Sequence, residues 1–341
     1  MPKRILIFNV NWLGDVLFST AVIRNLRRNF RESYLACIIP SRCYAVLKDN
    51  PYLDEIIIYD EKDRHRGVLA KLSFIGYLKS KRFDTAFLLH RSASRALICW
   101  MAGIPERIGY YTPKRGFLLT KKIAPIPQDS LHRIDYYLNI IEKAGVRVED
   151  RFSDFFVSDN DREAAVRFLQ DNGINNGDFL VGINPGGNWM PKRWPKEYWA
   201  RLADMLIEKL DARVVITGSP SDIALAGDIR LLMKERPLVA CGNTNLKQFA
   251  ALAIRMDLFI SADSGPLHIA NAAGCKNIIA IFGPTSLKVT SPYPLKNVRI
   301  MQKEIGCVIP CYSNDCRENR CMLAVIPDDV FRQASEIKGK T

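Results

Sequence analysis

The sequence predicts an α/β protein built from two doubly wound parallel sheets, and three observations carry that prediction. The chain has 341 residues, which at ~150 residues per domain allows two. Short, continuous apolar runs of the kind found in buried parallel strands recur at βα intervals. The same rhythm then restarts after a polar segment in the middle of the chain.

The first run is Ile5-Leu6-Ile7-Phe8-Asn9-Val10, followed by the turn Asn11-Trp12-Leu13-Gly14 and then Asp15. Val16, Thr20, Ile23, Leu26 and Phe30 continue at helical spacing, which predicts one helix from Asp15 onward. Further strands are read over 34–39, 55–59 and 84–89, with helical stretches between them. The segment 158–178 is polar and holds one amphipathic helix, as suits a linker region. Asp159-Asn160-Asp161 there reads as helix capping, not as a metal-binding pair. Beyond it, strands are read over 179–184, 213–217, 238–240, 258–261 and 277–282. Helices are read over 196–209, 224–234, 246–255 and 266–273. Pro327-Asp328-Asp329 starts a last helix running to about Lys338, because proline suits the first helical position and acids suit the positive end.

Composition narrows the function. With 48% hydrophobic and 25% charged residues, the chain can build ordinary globular cores. The run 5–10 is too short for a signal-peptide core, and no stretch reaches the ~20 apolar residues of a membrane span. The expectation is a cytoplasmic protein that can still touch a membrane surface. A net charge of +13 favours polyanionic partners. No basic–aromatic or helix-turn-helix signature points to nucleic acid.

In open α/β sheets, ligands lie beyond the carboxyl ends of the strands, so the loops after the strands carry the candidate residues. In the first, Gly14 permits a tight turn. Asp15 meets a helix N-terminus, either as a cap or as a carboxylate able to take a proton from a hydroxyl. In the second, Gly186 and Gly187 after Asn184 let backbone N–H groups approach a phosphate, and Lys192 adds a point charge. In the third, Asp222 either caps the helix ahead or accepts from a ribose diol. In the fourth, Asp263-Ser264-Gly265-Pro266 opens a helix whose N-terminus suits an anion, with His268 one turn further in. Gly283-Pro284-Thr285-Ser286 is a further polar turn on the same edge.

These motifs occur together and in order: LGD at 13–15, PGG at 185–187 with KRWP at 192–195, GSPSD at 218–222, DSGPLH at 263–268 and FGPTS at 282–286. The combination resembles the lipopolysaccharide heptosyltransferases of glycosyltransferase family nine. The resemblance implies the GT-B fold, with two Rossmann-like domains and a cleft between them. It implies an acceptor domain over 1–157 and an ADP-sugar domain over 158–325. It also implies a last helix, 326–341, that crosses back to the first domain.

By motif, Asp15 then corresponds to the catalytic base and Lys192 to the lysine that neutralises the leaving diphosphate. Asn184, Gly186, Gly187, Asp222, Asp263, Ser264, Gly265 and His268 correspond to the donor-binding set. The implied reaction is an inverting transfer from ADP-heptose to a phosphorylated lipid A–Kdo acceptor by a monomer at the inner face of the inner membrane, with no cofactor or metal. The resemblance leans towards addition of the second heptose. A related transferase or epimerase using another nucleotide sugar, and a non-catalytic nucleotide- or polyanion-binding protein, stay as alternatives.

Nine cysteines are present. Cys37, Cys43, Cys99, Cys241 and Cys275 stand alone in apolar contexts and read as small buried side chains. Cys307, Cys311, Cys316 and Cys321 crowd into one loop-rich segment. That cluster reads as a structural or redox-sensitive loop, with metal binding as the alternative.

Overall fold

In the computed structural model, which describes residues 3–127, 129–314, 316 and 318–340, the chain divides into two compact units, Met1–Phe156 and Val157–Thr341. The first unit runs β1 (Arg4–Phe8), α1 (Leu13–Phe18), α2 (Thr20–Asn29), β2 (Tyr34–Ile39), α3 (Tyr44–Leu47), β3 (Glu55–Ile58), α4 (Val68–Ser80), β4 (Thr85–Leu88), α5 (Ala93–Met101), β5 (Glu106–Tyr110), β6 (Lys121–Ile123) and α6 (Arg133–Lys143). Its sheet has the order β3-β2-β1-β4-β5-β6, and every pairing is parallel. The central strand β1 is buried on both faces along Ile5–Phe8, the reason it reads as an unbroken apolar run.

The second unit repeats the plan. It runs α7 (Asp159–Asp171), β7 (Phe179–Asn184), α8 (Lys196–Leu210), β8 (Ala212–Ile216), α9 (Ile223–Leu232), β9 (Leu238–Val239), α10 (Leu246–Arg255), β10 (Leu258–Ala262), α11 (Gly265–Ala273), β11 (Ile278–Ile281), α12 (Leu287–Thr290), β12 (Val298–Met301), α13 (Arg320–Leu323) and α14 (Pro327–Lys338). Its sheet order, β12-β11-β10-β7-β8-β9, is again all parallel. Counted from each unit's first strand, both orders are 3-2-1-4-5-6, the doubly wound pattern. The order reverses between β1 and β4 in one sheet and between β7 and β10 in the other. A ligand crevice belongs at the carboxyl ends of those pairs.

Two differences from the sequence reading have physical causes. The helix expected to run on from Asp15 breaks into α1 and α2 at Ser19. There the Ser19 hydroxyl donates to the Val16 carbonyl at 2.7 Å and the Thr20 hydroxyl to that of Leu17 at 2.6 Å, back-bonding that bends helices. The short strands β5, β6 and β12 were not anticipated. β6 is a three-residue edge strand with two lysines, too short and polar to show a pattern.

The apolar stripe of α14 is buried within the second unit. Val330, Ala334 and Ile337 are buried in the second unit's core with Trp199, Leu202 and Leu206 of α8, and Arg201 of α8 meets Asp328 at 2.7 Å. Their spacing of four and three residues lines one side of the helix, and α8 supplies the apolar face that covers it. In the linker, Ser158 and Asp161 close a capping box at the start of α7, so the Asp159–Asp161 run does serve as helix capping.

Candidate functional site

In the first unit, the loop after β1 is pinned by the side chains of Ser19, Arg42 and Arg95. The Asn9 amide donates to the Ser19 hydroxyl at 2.7 Å, while its own oxygen accepts from the Val10 N–H at 2.8 Å. Arg95 of α5, buried, donates to the Asn9 carbonyl and to Asn11 Oδ1, both at 2.5 Å. Arg42 donates to the Asn11 carbonyl at 2.9 Å and lies over the Trp12 ring.

Asp15 is the third residue of α1 and does not cap it. Trp12 holds the cap position with no side-chain bond. Instead Asp15 Oδ1 accepts a 2.8 Å hydrogen bond from the Tyr137 hydroxyl on α6. Burial, then the Asp15 charge and that bond, hold the Tyr137 hydroxyl well above its usual pKa, so Tyr137 stays a donor. Gly14 is not a forced glycine: its φ is not positive, and an added Cβ meets nothing within 4 Å. Its consequence is an uncluttered backbone beside Asp15.

The loop after β4, next to β1 in the sheet, brings His90. Burial first, then the positive charges of Arg95 and Arg115, push its imidazole down to about 4. Arg115, fully buried, donates to the carbonyls of His90 and Tyr110. Tyr137, His90, Arg95 and Arg115 were not singled out from sequence. None lies in a glycine-rich turn, and Tyr137 sits 122 residues from the carboxylate it serves.

In the second unit the corresponding loops, after β7 and β10, meet at Asp263. This carboxylate is 4% exposed. Lys192 Nζ donates to Oδ2 at 2.7 Å, His268 Nε2 lies 3.2 Å from Oδ1, and the Thr285 hydroxyl donates to Oδ2 at 2.7 Å. Burial opposes the charge, but the His268 bond and the Lys192 charge outweigh it, and the carboxyl is held well below the usual range. Asp263 thus gathers the side chains of Lys192, His268 and Thr285 from three separate segments.

Ser264 occupies the N-cap of α11 in extended conformation, yet its hydroxyl makes no capping bond and faces Ser261 Oγ at 3.3 Å. Gly265 and Pro266 follow in the first turn. An N-terminus that its cap residue leaves uncapped presents N–H groups to an anion.

The remaining predicted residues have mixed placements. The Asn184 amide is committed to Thr217, to both its carbonyl and its hydroxyl at 3.1 Å, tying the ends of β7 and β8. Asp222 Oδ2 accepts from the Ser219 N–H at 2.9 Å and hydroxyl at 2.6 Å, so it closes the turn before α9. Gly186 is a close-approach glycine: a Cβ there stands 2.6 Å from Asp222 Oδ1. Gly187 has open space, and its carbonyl accepts from Arg193 Nε at 2.8 Å.

The cysteine segment lies against this loop. Trp189 Nε1 donates to Asn314 at 2.8 Å, Asn319 to the Arg193 carbonyl at 3.1 Å, and the Cys311 N–H to the Pro284 carbonyl at 2.8 Å. Cys307, Cys311, Cys316 and Cys321, all free thiols, help line a cavity of about 390 Å³ with Pro191 and Pro284. Among the described residues no group of His, Cys, Asp and Glu is arranged to hold a metal ion. Asp315 and Arg317 lie outside the described residues.

The chain is similar to known proteins in sequence and in fold. The family described as glycosyltransferase family 9 (heptosyltransferase) matches residues 72–321. Lipooligosaccharide heptosyltransferase 2 of Campylobacter jejuni is 24% identical, with 98% of each chain covered. The glycosyl transferase family 9 structure from Veillonella parvula superposes with a TM-score of 0.89 at 25% identity, covering 99% of this chain and 98% of that one. The E. coli ADP-heptose lps heptosyltransferase II superposes with a TM-score of 0.80 at 22% identity, covering 99% of both. These structures share the GT-B type of fold, with two such α/β units.

Proposed function

The chain belongs to glycosyltransferase family 9, the heptosyltransferases, and from that premise we propose that it moves heptose from ADP-heptose to the lipopolysaccharide inner core, onto a Kdo-lipid A or heptosyl-Kdo-lipid A acceptor. The observation that carries the donor half is the grouping of Lys192, Asp263 and His268 beside the N-terminus of α11. It stands where the second sheet reverses its strand order, the position at which such sheets bind nucleotides.

In this reading the second unit holds ADP-heptose. Lys192 has three N–H donors; one is committed to Asp263, and the others serve the diphosphate. The α11 N-terminus adds backbone N–H groups to the same anion. Asp222 accepts from the ribose with its Oδ1, while Oδ2 keeps its bonds to Ser219. The first unit holds the acceptor, and its buried arginines Arg95 and Arg115 raise the positive potential at the β1–β4 edge.

The acceptor hydroxyl attacks the anomeric carbon, and Asp15 takes its proton. The bond from that carbon to the diphosphate oxygen breaks on the opposite side, so the configuration inverts and ADP departs. Lys192 and the α11 N-terminus stabilise the charge that grows on ADP. Such preplaced charge is usually the largest catalytic contribution, and losing one donor costs roughly 10²–10³ in rate. This route asks for no metal. The enzyme acts as a cytoplasmic protein at the inner face of the inner membrane, where its lipid-borne acceptor lies.

The test is turnover of purified protein with ADP-heptose and Kdo-lipid A, alongside UDP- and GDP-sugars. Asp15→Ala should abolish transfer while ADP binding by calorimetry stays within about twofold, since proton transfer alone is worth 10²–10⁴. Transfer by Asp15→Ala at the wild-type rate removes Asp15 as the base. Preference for a UDP- or GDP-sugar removes ADP-heptose as the donor.

A further inference from the structure

The first unit carries an apolar surface that its own core does not use. α4 and α5 are neighbours and pack on the same face of the sheet, burying Phe74, Ile75 and Leu78 from one and Ala96, Ile98 and Cys99 from the other. Their opposite, water-facing sides are apolar as well. On α4, Val68, Leu69 and Leu72 are 74%, 83% and 47% exposed, and their spacing places them on one side of the helix. On α5, Leu97, Trp100 and Met101 are 41%, 54% and 41% exposed at spacings of three and four. Phe117, in the turn packed beside α5, is 79% exposed. A helix facing only water carries charge at such positions. Exposed apolar groups clustered in this way mark a contact surface.

The charge around this surface says what it contacts. Residues 61–122 hold 14 Lys and Arg against 4 Asp and Glu, which accounts for most of the net charge of +13. Exposed Lys62, Arg64 and Arg66 lead directly into α4, and exposed Lys114, Lys121 and Lys122 flank the Phe117 turn. Apolar side chains ringed by lysine and arginine are the arrangement of an element that lies in the plane of an anionic membrane. Among the described residues, no helix is long and apolar enough to cross one. A second copy of the chain is the rival occupant, but pairing two copies through this face would oppose two strongly basic surfaces.

We propose that the outer face of α4 and α5 seats the first unit on a bilayer rich in anionic phospholipid, with Leu69, Trp100 and Phe117 entering the headgroup–acyl boundary and the flanking lysines and arginines pairing with lipid phosphates. The proposal leans on the heptosyltransferase reading only for its purpose, reaching a lipid-borne acceptor; the surface itself stands on its exposure and charge.

The experiment is co-sedimentation of the full chain with vesicles of phosphatidylglycerol and phosphatidylethanolamine, against vesicles of phosphatidylcholine alone. Binding to the anionic vesicles should be at least about tenfold tighter and should weaken in 0.5 M salt. Leu69→Glu/Trp100→Glu should lower it by about tenfold or more, while circular dichroism and transfer to a delipidated, water-soluble acceptor stay unchanged. Equal affinity for both vesicle types, wild-type binding by the double variant, or a concentration-dependent dimer that the double variant abolishes each overturns the proposal. A chain that binds vesicles but transfers no sugar to the soluble acceptor keeps the membrane face and loses the function.

Discussion

Lys192 and Asp263, 71 residues apart in sequence, form a 2.7 Å ion pair in which the carboxylate is buried and the ammonium is about a quarter exposed. The pair fixes the loop after β7 to the loop after β10, with His268 on the other carboxylate oxygen. Replacing Asp263 with Asn keeps the shape but removes the charge that both neighbours share. Stability at pH 7 should fall by about 1–3 kcal/mol, as for a buried charged group losing its pairing. The Asp263 carboxyl is held below its ordinary range, so its contribution is present above the ordinary carboxylate pKa. It is lost as pH falls below that value. Urea midpoints taken from pH 7 to pH 2.5 should therefore decline less steeply at the acid end in Asp263→Asn; parallel curves disprove the role given to this pair.

Tyr137 should act on the reaction only through Asp15. Its hydroxyl holds one carboxylate oxygen at 2.8 Å, and loss of that bond loosens the aim of the proposed base at the acceptor proton. Tyr137→Phe should lower kcat by roughly 10–100-fold, the scale of a misplaced catalytic group, with KM for the sugar nucleotide unchanged. A rise in KM at constant kcat shows instead that Tyr137 shapes binding.

His90 makes folding sensitive to mild acid. Its imidazole is pushed down to about 4 by burial and by Arg95 and Arg115, against an ordinary 6.5. Between those values the unfolded chain binds the proton and the folded one does not, so stability falls as pH drops from 6.5 to 4. The loss should amount to about 1–3 kcal/mol. His90→Asn keeps a side-chain acceptor for the Ser92 N–H, which now bonds to His90 Nδ1 at 3.0 Å, and should flatten that part of the curve. An unchanged pH dependence between 6.5 and 4 means that another group titrates there.

Gly186 and Gly187 are adjacent but should respond oppositely to alanine. A Cβ on Gly186 meets the Asp222 carboxylate at 2.6–2.8 Å, whereas one on Gly187 meets nothing within 4 Å. Because Ser219 holds that carboxylate, it cannot simply swing aside. Gly186→Ala should cost about 1–3 kcal/mol and weaken ADP binding. Gly187→Ala should stay within about 0.5 kcal/mol. Thermal melts and ADP calorimetry on both variants decide it; equal effects show that the Asp222 contact is not the constraint.

Much of the scaffold is legible in the sequence. β2, β7 and α10 have the bounds read from sequence, and most other strands differ by one or two residues. The reason is local: a strand buried on both faces must be apolar throughout, as Ile5–Phe8 is, and a loop that turns into a helix must carry Gly, Pro, Ser or Asp. The loops at Asp15, Gly186, Asp222 and Asp263 were found for the same reason. β6 escaped because a three-residue edge strand has no period.

What each site residue touches was decided only by the tertiary structure. Asp15 looks like a helix cap in sequence and proves to be the acceptor of Tyr137. Lys192 reads in sequence as a point charge for a phosphate and proves to be paired with Asp263 as well, while Asn184 proves to be committed to Thr217. α14 was read as a helix, and the tertiary structure shows its apolar stripe received by the apolar face of α8. The physical reason is the crossover order of the sheets. Strands β1 and β4, and β7 and β10, are distant along the chain and become neighbours only when the sheet forms. Local residue patterns determine the strands and turns, and the pairing of those strands determines which side chains meet at their ends.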